Sequence, residues 1–392
     1  MAGADAEDTG GRANRDNAGP CRPRTSAEDG HKAVPAAHLV SFLAFLADTG
    51  RFAALEESCP LAYTSPNAPT NGEFLQTWIL AILHGCQRYA HVDAMRGGAL
   101  DPLRIRPGRL LGEDALRRGM AAIAARGGGG WLSRHIAASV SPFLRDPWML
   151  DIDIIRQPIF EPRKRGVRQR AGQRAGCRAH RYQTYFMSGT RLVLGGDVRP
   201  AIGHDHLAVA PELVRILDEL PFQLRPRLIR GVCEPGCDRL LLALEARRQP
   251  YLVELNLTVN MASRMKTTVA AGESSDLREG GPGGEAVVRL PGWSRSRRVV
   301  VLHHTHTARP SPGDGMDVVV LVTNLEGGLP GLGELLHESA HAGDADEETR
   351  ERWRWGGFAT EDLTRCQVAM LGVALIHNWW ILFLSAWGGP RT

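Results

Sequence analysis

Residues 228–255, LIRGVCEPGCDRLLLALEARRQPYLVEL, contain an apolar run, a turn with Pro and Gly, a helical segment and a second apolar run. This pattern predicts a strand over 227–230, a helix over 237–248 and a strand over 251–255. Two strands joined through such a helix lie parallel in one sheet, with a right-handed crossover. The unit constrains the chain most strongly, because it favours a mixed α/β fold with helices packed on a sheet.

The remaining segments predict helices before this unit and further strands around it. Over residues 36–145 the apolar residues recur at helical spacing, and Thr70 and Glu73 have the spacing of a capping box. The run WMLDIDII alternates as a strand, with Asp151 and Asp153 on one face. YQTYFMSGTRLVLGGDVRP predicts two more strands, and RRVVVLHHTH with MDVVVLVTNL predicts a hairpin.

The segment VAMLGVALIHNWWILFLSAW (368–387) has the length of a membrane span. His377, Asn378 and two adjacent tryptophans lie at its middle, whereas an aromatic belt would lie at its ends. We therefore predict a buried helix and no membrane partner, with a membrane anchor as the alternative. Scattered cysteines without a CxxC pair, and no signal segment before them, favour a cytoplasmic protein.

Several motifs together resemble one enzyme family. They are DPWMLDID, YQTYFMSGTRLVLGGDVRP, LIRG, RRQPYLVELNLT, VTNLEGGLP and WRWGGFATEDLTRCQVAMLGVALIHNWWILF. The chain resembles the DDE transposases of bacterial insertion sequences, in the branch with a β-rich insertion before the last catalytic helix. The likeness implies a mixed α/β fold with a ribonuclease H-like core. It divides the chain into five parts. A disordered leader (1–35) precedes a helical N-terminal region (36–145) and the first part of the core (146–262). The β-rich insertion (263–330) and the C-terminal core helices (331–388) follow.

Phosphodiester cleavage explains which residues such a core needs. Two divalent cations activate the attacking oxygen and stabilise the leaving oxygen, and Mg²⁺ prefers carboxylate ligands. The resemblance places the first of three acids at Asp153, which is therefore the expected catalytic residue and metal ligand, with Mg²⁺ as the expected cofactor. A surface strand end is the alternative interpretation of Asp153. Asp151 shares its strand face.

The other two acidic positions hold residues without carboxylates. The second acid would follow LIRG, where this chain has Val232, and the third falls on Gly343, in a helix whose last basic position is Arg350. Neighbouring acids are candidate substitutes for the missing carboxylates. Glu234 is two residues beyond Val232, which displaces it by about 6 to 7 Å along an extended chain. Asp344 follows Gly343, and one residue turns a helix by about 100°. These substitutes are Asp151, Glu234 and Asp344. We therefore predict a transposase with impaired cleavage, and an inactive DNA-binding remnant is the alternative.

A basic segment follows the strand that carries Asp153. In EPRKRGVRQRAGQRAGCRAHR no acid occurs after Glu161, which suits phosphate contacts and counterion release on double-stranded DNA. A solvated loop is the alternative. The predicted DNA contacts are Arg163, Lys164, Arg165, Arg168, Arg170, Arg174, Arg178, Arg181 and Arg350. The resemblance adds terminal inverted repeats as the DNA partner, a homodimer on paired ends, and a nucleoid-associated location.

Overall fold

The computed structural model describes residues 36–96, 108–144, 147–158, 179–200, 211–233, 237–255, 257, 274–277, 281–303, 318–326, 331–332, 335 and 357–386. Within residues 36–96 and 108–144 the chain is largely helical, as its apolar spacing predicts. The helices described there are α1 (Ala36–Asp48), α2 (Arg51–Glu57), α3 (Asn71–Leu83), α4 (Ala90–Arg96), α5 (Glu113–Ala125) and α6 (Gly128–Val140). A short 3₁₀ helix, Ser141–Phe143, follows α6.

The strands that the structure describes form one mixed sheet of nine. They are β1 (Met149–Pro158), β2 (Ala179–Met187), β3 (Val193–Pro200), β4 (Leu228–Cys233), β5 (Tyr251–Leu255), β6 (Ser274–Leu277), β7 (Gly281–Val288), β8 (Arg297–His303) and β9 (Val318–Thr323). Their spatial order is β3-β2-β1-β4-β5-β9-β8-β7-β6. β1 is antiparallel to β2 and parallel to β4, and β5 is parallel to β4. The five strands from β3 to β5 therefore have the ribonuclease H-like arrangement, which confirms the predicted fold class.

The predicted βαβ unit is present. Strand β4 leads through helix α8 (Asp238–Ala246) into β5. Helix α7 (Pro211–Glu219) precedes this unit and lies between β3 and β4 in the sequence. β4 extends to Cys233 instead of ending at Arg230, because its last residues pair with β5. The pairing between the parallel strands β4 and β5, which the sequence does not reveal, therefore includes Val232 in β4.

The β-rich insertion continues the core sheet. β8 and β9 are antiparallel neighbours, as the two β-branched runs predict. β9 also pairs antiparallel with β5, between Leu252 opposite Thr323 and Glu254 opposite Leu321. The outer strands β7 and β6 extend the sheet from β8. Because β9 occupies the edge of β5, the insertion covers an edge that a five-stranded core would leave exposed.

The C-terminal apolar segment forms helix α9 (Leu363–Ala386), which is buried along most of its length, as predicted. Among the described helices it is the one that is long and apolar enough to cross a membrane. It packs instead against β3, where Gln367 and Asn378 hydrogen-bond to backbone groups of that edge strand. The polar residues at its centre therefore serve contacts inside the protein.

Helix α3 lies close to α9 in the helical core. Its predicted capping box is present: Thr70 Oγ1 accepts from the Glu73 amide at 3.1 Å, and the Glu73 carboxylate accepts from the Thr70 amide at 3.0 Å. One turn further on, Trp78 packs against Gly372 of α9. A Cβ atom at Gly372 would lie 2.2 Å from the Trp78 ring, so this contact requires glycine.

Candidate functional site

Asp153 and Val232 are neighbours on adjacent parallel strands. In the β1–β4 pair Ile152 is opposite Gly231, and Asp153 and Val232 are the next residues on each strand. Their backbones are therefore about 5 Å apart and their side chains project to the same face. Gly231 permits this approach, since a Cβ atom there would lie 2.7 Å from Ile152 Cβ. Asp153 is half-buried, and the Val232 residue is 44% exposed.

A third residue, Glu254, shares this level of the sheet. Val232 is opposite Glu254 in the β4–β5 pair, and Glu254 is half-buried. We call Asp153, Val232 and Glu254 the carboxylate row. Because paired residues of neighbouring strands project to one face, the row has two carboxylates with an exposed valine between them. Sequence reasoning missed Glu254; the available signal was one acid within the apolar run YLVEL.

Two residues before Asp153 and Val232, on the same face of β1 and β4, a buried ion pair joins the two strands. Arg230, with a side chain only 2% exposed, lies opposite Asp151 and binds both of its carboxylate oxygens, at 2.8 and 3.0 Å. Arg230 also donates to Ser188 Oγ at 3.0 Å and to the carbonyl oxygen of Leu335 at 2.8 Å. Asp151 is therefore an unsuitable substitute ligand, because a cation there would compete with a buried guanidinium.

Apolar clusters border the site on this face of the sheet. On one side, leucines of β4, β5 and β9 pack with Leu332, and on the other side residues of β2 belong to the same apolar cluster as residues of α9. The members nearest the row are Leu228, Leu252, Leu321 and Leu332 in the first cluster, and Tyr182 and Phe186 in the second. The carboxylate row is thus a polar strip between two packed apolar regions.

Asp238, an acid of helix α8 near the end of β4, is engaged elsewhere. Its carboxylate accepts from Arg297 at 2.7 Å and from Ser294 at 3.2 Å, which connects α8 to the β-rich insertion. Burial opposes ionisation of Asp238, but these hydrogen bonds outweigh it and hold its pKa below the ordinary value. Asp238 therefore acts as a structural anion.

The other predicted site residues lie largely outside the described residues. This applies to Gly343 with its candidate substitute Asp344, to Glu234, and to all predicted DNA contacts except Arg181: Arg163, Lys164, Arg165, Arg168, Arg170, Arg174, Arg178 and Arg350. Arg181 is described and lies on β2 opposite Arg156 and Arg199. Since Thr184 pairs with Asp153, the alternation along β2 directs Arg181 to the opposite face of the sheet.

The donor set limits which metal the site can hold. Across the described parts of the chain, no three His, Cys, Asp or Glu side chains come together as potential metal ligands. Mg²⁺ is commonly held by one or two carboxylates with water and phosphate oxygens. Asp153 is one such carboxylate, and Glu254 lies two strands away on the same face of the sheet. They do not fit the pair of cations for which three converging acids were expected.

The sequence matches no protein-family model, and no curated protein matches it. Among solved structures, a piggyBac transposase in a synaptic complex with hairpin DNA superimposes with a TM-score of 0.42 and 12% identity, over 90% of this chain and 77% of that chain. An endonuclease V from Ciona intestinalis, in complex with inosine-containing DNA, gives a TM-score of 0.24 and 8% identity, over 52% and 88% respectively. With scores this low, the ribonuclease H-like assignment rests on strand order and direction within this chain.

Proposed function

We propose that the chain is a DDE-type transposase of a bacterial insertion sequence with impaired DNA cleavage. The observation that carries the proposal is Val232 beside Asp153, where the carboxyl end of β4 lies next to the middle of β1 and such a core needs its first two acids. The motif resemblance and the ribonuclease H-like strand order support the family. An exposed valine at this position supports the impairment, since its methyl groups offer no oxygen to a cation.

Each residue of the site has a proposed role. Mg²⁺, when bound, would activate the attacking oxygen and stabilise the leaving oxygen. Asp153 would hold the cation, while Arg230 and Asp151 keep β1 and β4 in the register that places Asp153 beside Val232. Because Arg230 binds both oxygens of Asp151, this neighbouring acid does not replace the missing carboxylate.

The proposed partner is double-stranded DNA at terminal inverted repeats, held by the basic segment that connects β1 to β2. The ends of that connection, Pro158 and Ala179, are paired in the sheet. They lie five residues along β1 from Asp153, or about 17 Å at the rise of a strand. A duplex bound there can extend to the carboxylate row. A homodimer on paired DNA ends and a cytoplasmic, nucleoid-associated location belong to the same proposal.

Nicking of supercoiled plasmid tests the proposal. The substrate carries the DNA that flanks the gene, and the reaction contains Mg²⁺ or Mn²⁺. We expect slow nicking by the natural protein and at least about tenfold faster nicking by Val232→Asp, which returns a carboxylate to the position beside Asp153. Val287→Asp is the matched control, because it adds the same charge at an exposed valine of β7.

Rapid nicking by the natural protein would overturn the impairment. Absence of DNA binding in a gel-shift assay with EDTA would overturn the assignment to a transposase. If Val232→Asp and Val287→Asp behave alike while DNA is bound, the site has decayed beyond position 232, and the chain is a DNA-binding remnant.

A further inference from the structure

We propose that a row of three arginines, on the face of the sheet opposite to Asp153, binds phosphate groups of DNA. The row consists of Arg156, Arg181 and Arg199, and we call it the arginine row. This inference rests on the proposed function, because it assigns a second contact surface for the same DNA. Of the three residues, the sequence predicted a DNA contact for Arg181 alone.

The register of three neighbouring antiparallel strands forms the arginine row. Arg156 of β1 is opposite Arg181 of β2, and Arg181 is opposite Arg199 of β3. Residues paired in this way belong to one face of the sheet, with backbones about 5 Å apart, so the row is about 10 Å long. Like charges directly opposite each other destabilise a sheet. A row of three arginines is therefore more stable when an anion is bound across it.

Two acids on this face of the sheet are engaged by other groups. Asp197, two residues before Arg199, is buried, and its Oδ2 accepts a hydrogen bond from Tyr185 at 2.6 Å. Burial raises the pKa of Asp197 overall, although the nearby Arg199 acts in the opposite direction. Glu212 of α7 accepts from Arg215 with both carboxylate oxygens, at 2.7 and 2.8 Å. Asp197 and Glu212 therefore have hydrogen-bond donors of their own.

Arg181, at the centre of the arginine row, supplies the observation that points to a ligand. Its Nε atom is buried and has no hydrogen-bond partner among the described residues, whereas the residue as a whole is partly exposed. A buried N–H group without a partner is costly, so an acceptor that reaches it stabilises the protein. A guanidinium presents its N–H groups as a planar fork that matches two oxygens of a phosphate. Phosphate is therefore the ligand that suits this position.

The arginine row lies toward the end of the sheet that carries Asp153. Arg156 is three residues beyond Asp153 on β1, or about 10 Å at the rise of a strand. On the face of the row, Tyr185 of β2 belongs to the same apolar cluster as Leu213 of α7, and Arg181 precedes Tyr185 by four residues. Each DNA strand carries one phosphate per about 3.4 Å of helix axis, so the row can bind several successive phosphates. DNA at Asp153 can thus continue past this end of the sheet onto the row.

The salt dependence of DNA binding by the full chain tests the proposal. Fluorescence anisotropy is measured in EDTA at several salt concentrations, with a duplex of the DNA that flanks the gene. We expect Arg181→Gln with Arg199→Gln to weaken binding at least about tenfold and to reduce the salt slope by about 1.8, or about 0.9 for each lost phosphate contact. Arg227→Gln with Arg248→Gln is the matched control, because it removes two exposed charges before the starts of β4 and β5, at the opposite end of the sheet.

Urea unfolding without DNA supplies a second readout. Arg181→Gln should raise the urea midpoint at low salt, because it removes the like charge between Arg156 and Arg199. High salt screens this repulsion, so the gain should shrink there. A lower midpoint of Arg181→Gln at low salt would show that the protein balances this charge internally, and would overturn the proposal.

The charge-preserving variant Arg181→Lys with Arg199→Lys should retain the natural salt slope, because it keeps both positive charges. The proposal is overturned if the double glutamine variant binds DNA with the natural affinity and slope, or if it loses no more than the control. In either case the natural protein still binds DNA, and the proposed function stands. A natural protein that binds no DNA would overturn both the arginine row and the proposed function.

Discussion

Asn378 of helix α9 binds both backbone groups of Val193, the first residue of edge strand β3. Its Oδ1 accepts from the Val193 amide at 2.8 Å, and its Nδ2 donates to the Val193 carbonyl at 2.8 Å and to Ser139 Oγ at 3.1 Å. The amide side chain thus takes the place of a neighbouring strand. This contact explains why Asn378, a polar residue, is buried in the otherwise apolar helix α9.

Asn378→Leu should destabilise the protein by about 3 kcal/mol, because it leaves the buried amide and carbonyl of Val193 without partners. Urea unfolding followed by circular dichroism measures the change. Ser385→Ala, at an exposed position of the same helix, is the control and should change stability by less than about 0.5 kcal/mol. Equal effects of the two substitutions would contradict the proposed edge contact.

Arg230→Met should destabilise the protein by about 3 to 5 kcal/mol, since the Asp151 carboxylate would lose the guanidinium that pairs with it in a nearly closed site. The double variant Arg230→Met with Asp151→Leu should recover most of this loss, because it removes both charges together. Urea unfolding of the two single variants and the double variant forms a complete cycle. Additive losses in that cycle would show that the ion pair is not the source of the effect.

Gly372→Ala should destabilise the protein by about 1 to 3 kcal/mol, because the new methyl group overlaps the Trp78 ring. Gly129→Ala, in helix α6, is the matched control. Its nearest neighbour would be Leu371 Cδ1 at 4.0 Å, so the higher helix propensity of alanine should stabilise by up to about 1 kcal/mol. Thermal unfolding distinguishes the opposite signs, and a stabilising Gly372→Ala would refute the close contact.

Asp197 should make the stability depend on pH. Burial raises the pKa of this carboxyl, despite the hydrogen bond that Tyr185 donates at 2.6 Å and the nearby Arg199, and Glu212 acts in the same direction as burial. Because the folded-state pKa lies above the unfolded value, the stabilisation is complete below the unfolded pKa and is lost as pH rises through the folded pKa. The Asp197→Asn variant should therefore gain stability relative to the natural protein between pH 4 and pH 7.

Urea unfolding at several pH values measures that difference, and Asp218→Asn provides a contrast of opposite sign. A hydrogen bond from Arg247 lowers the pKa of Asp218, so its contribution is present at neutral pH and lost as pH falls. Asp218→Asn should be less stable than the natural protein above about pH 4, and this difference should shrink as the pH falls below that value. The same sign for both variants would contradict the assigned causes.

Neutralising Arg163, Lys164 and Arg165 with alanine should weaken DNA binding and reduce the salt slope, by about 0.9 for each phosphate that the protein no longer neutralises. Fluorescence anisotropy at several salt concentrations gives the slope. The control variant neutralises three exposed helix arginines instead: Arg118, Arg134 and Arg239. An unchanged slope in the first variant, or an equal decrease in both, would count against the basic segment as the DNA-binding surface.

The sequence predicted those features that depend on neighbouring residues. Periodicity identified the N-terminal helices, the capping box at Thr70 and the βαβ unit, because each depends on residues within a few turns or one crossover. It also predicted the buried C-terminal helix from the position of Asn378. The motif resemblance gave the first two acid positions, and the strand register makes Asp153 and Val232 neighbours.

Tertiary structure decided which side chains meet across the sheet. Glu254 lies beside Val232 only through the parallel register of β4 and β5, and Asp151 is occupied only because that register places Arg230 opposite it. The hydrophobic pattern of a strand shows which residues share a buried face, but the partner opposite each residue depends on how two distant segments pack together. Residue order along the chain therefore determined the helices and strands, whereas contacts between residues far apart in sequence determined which acidic and basic side chains meet.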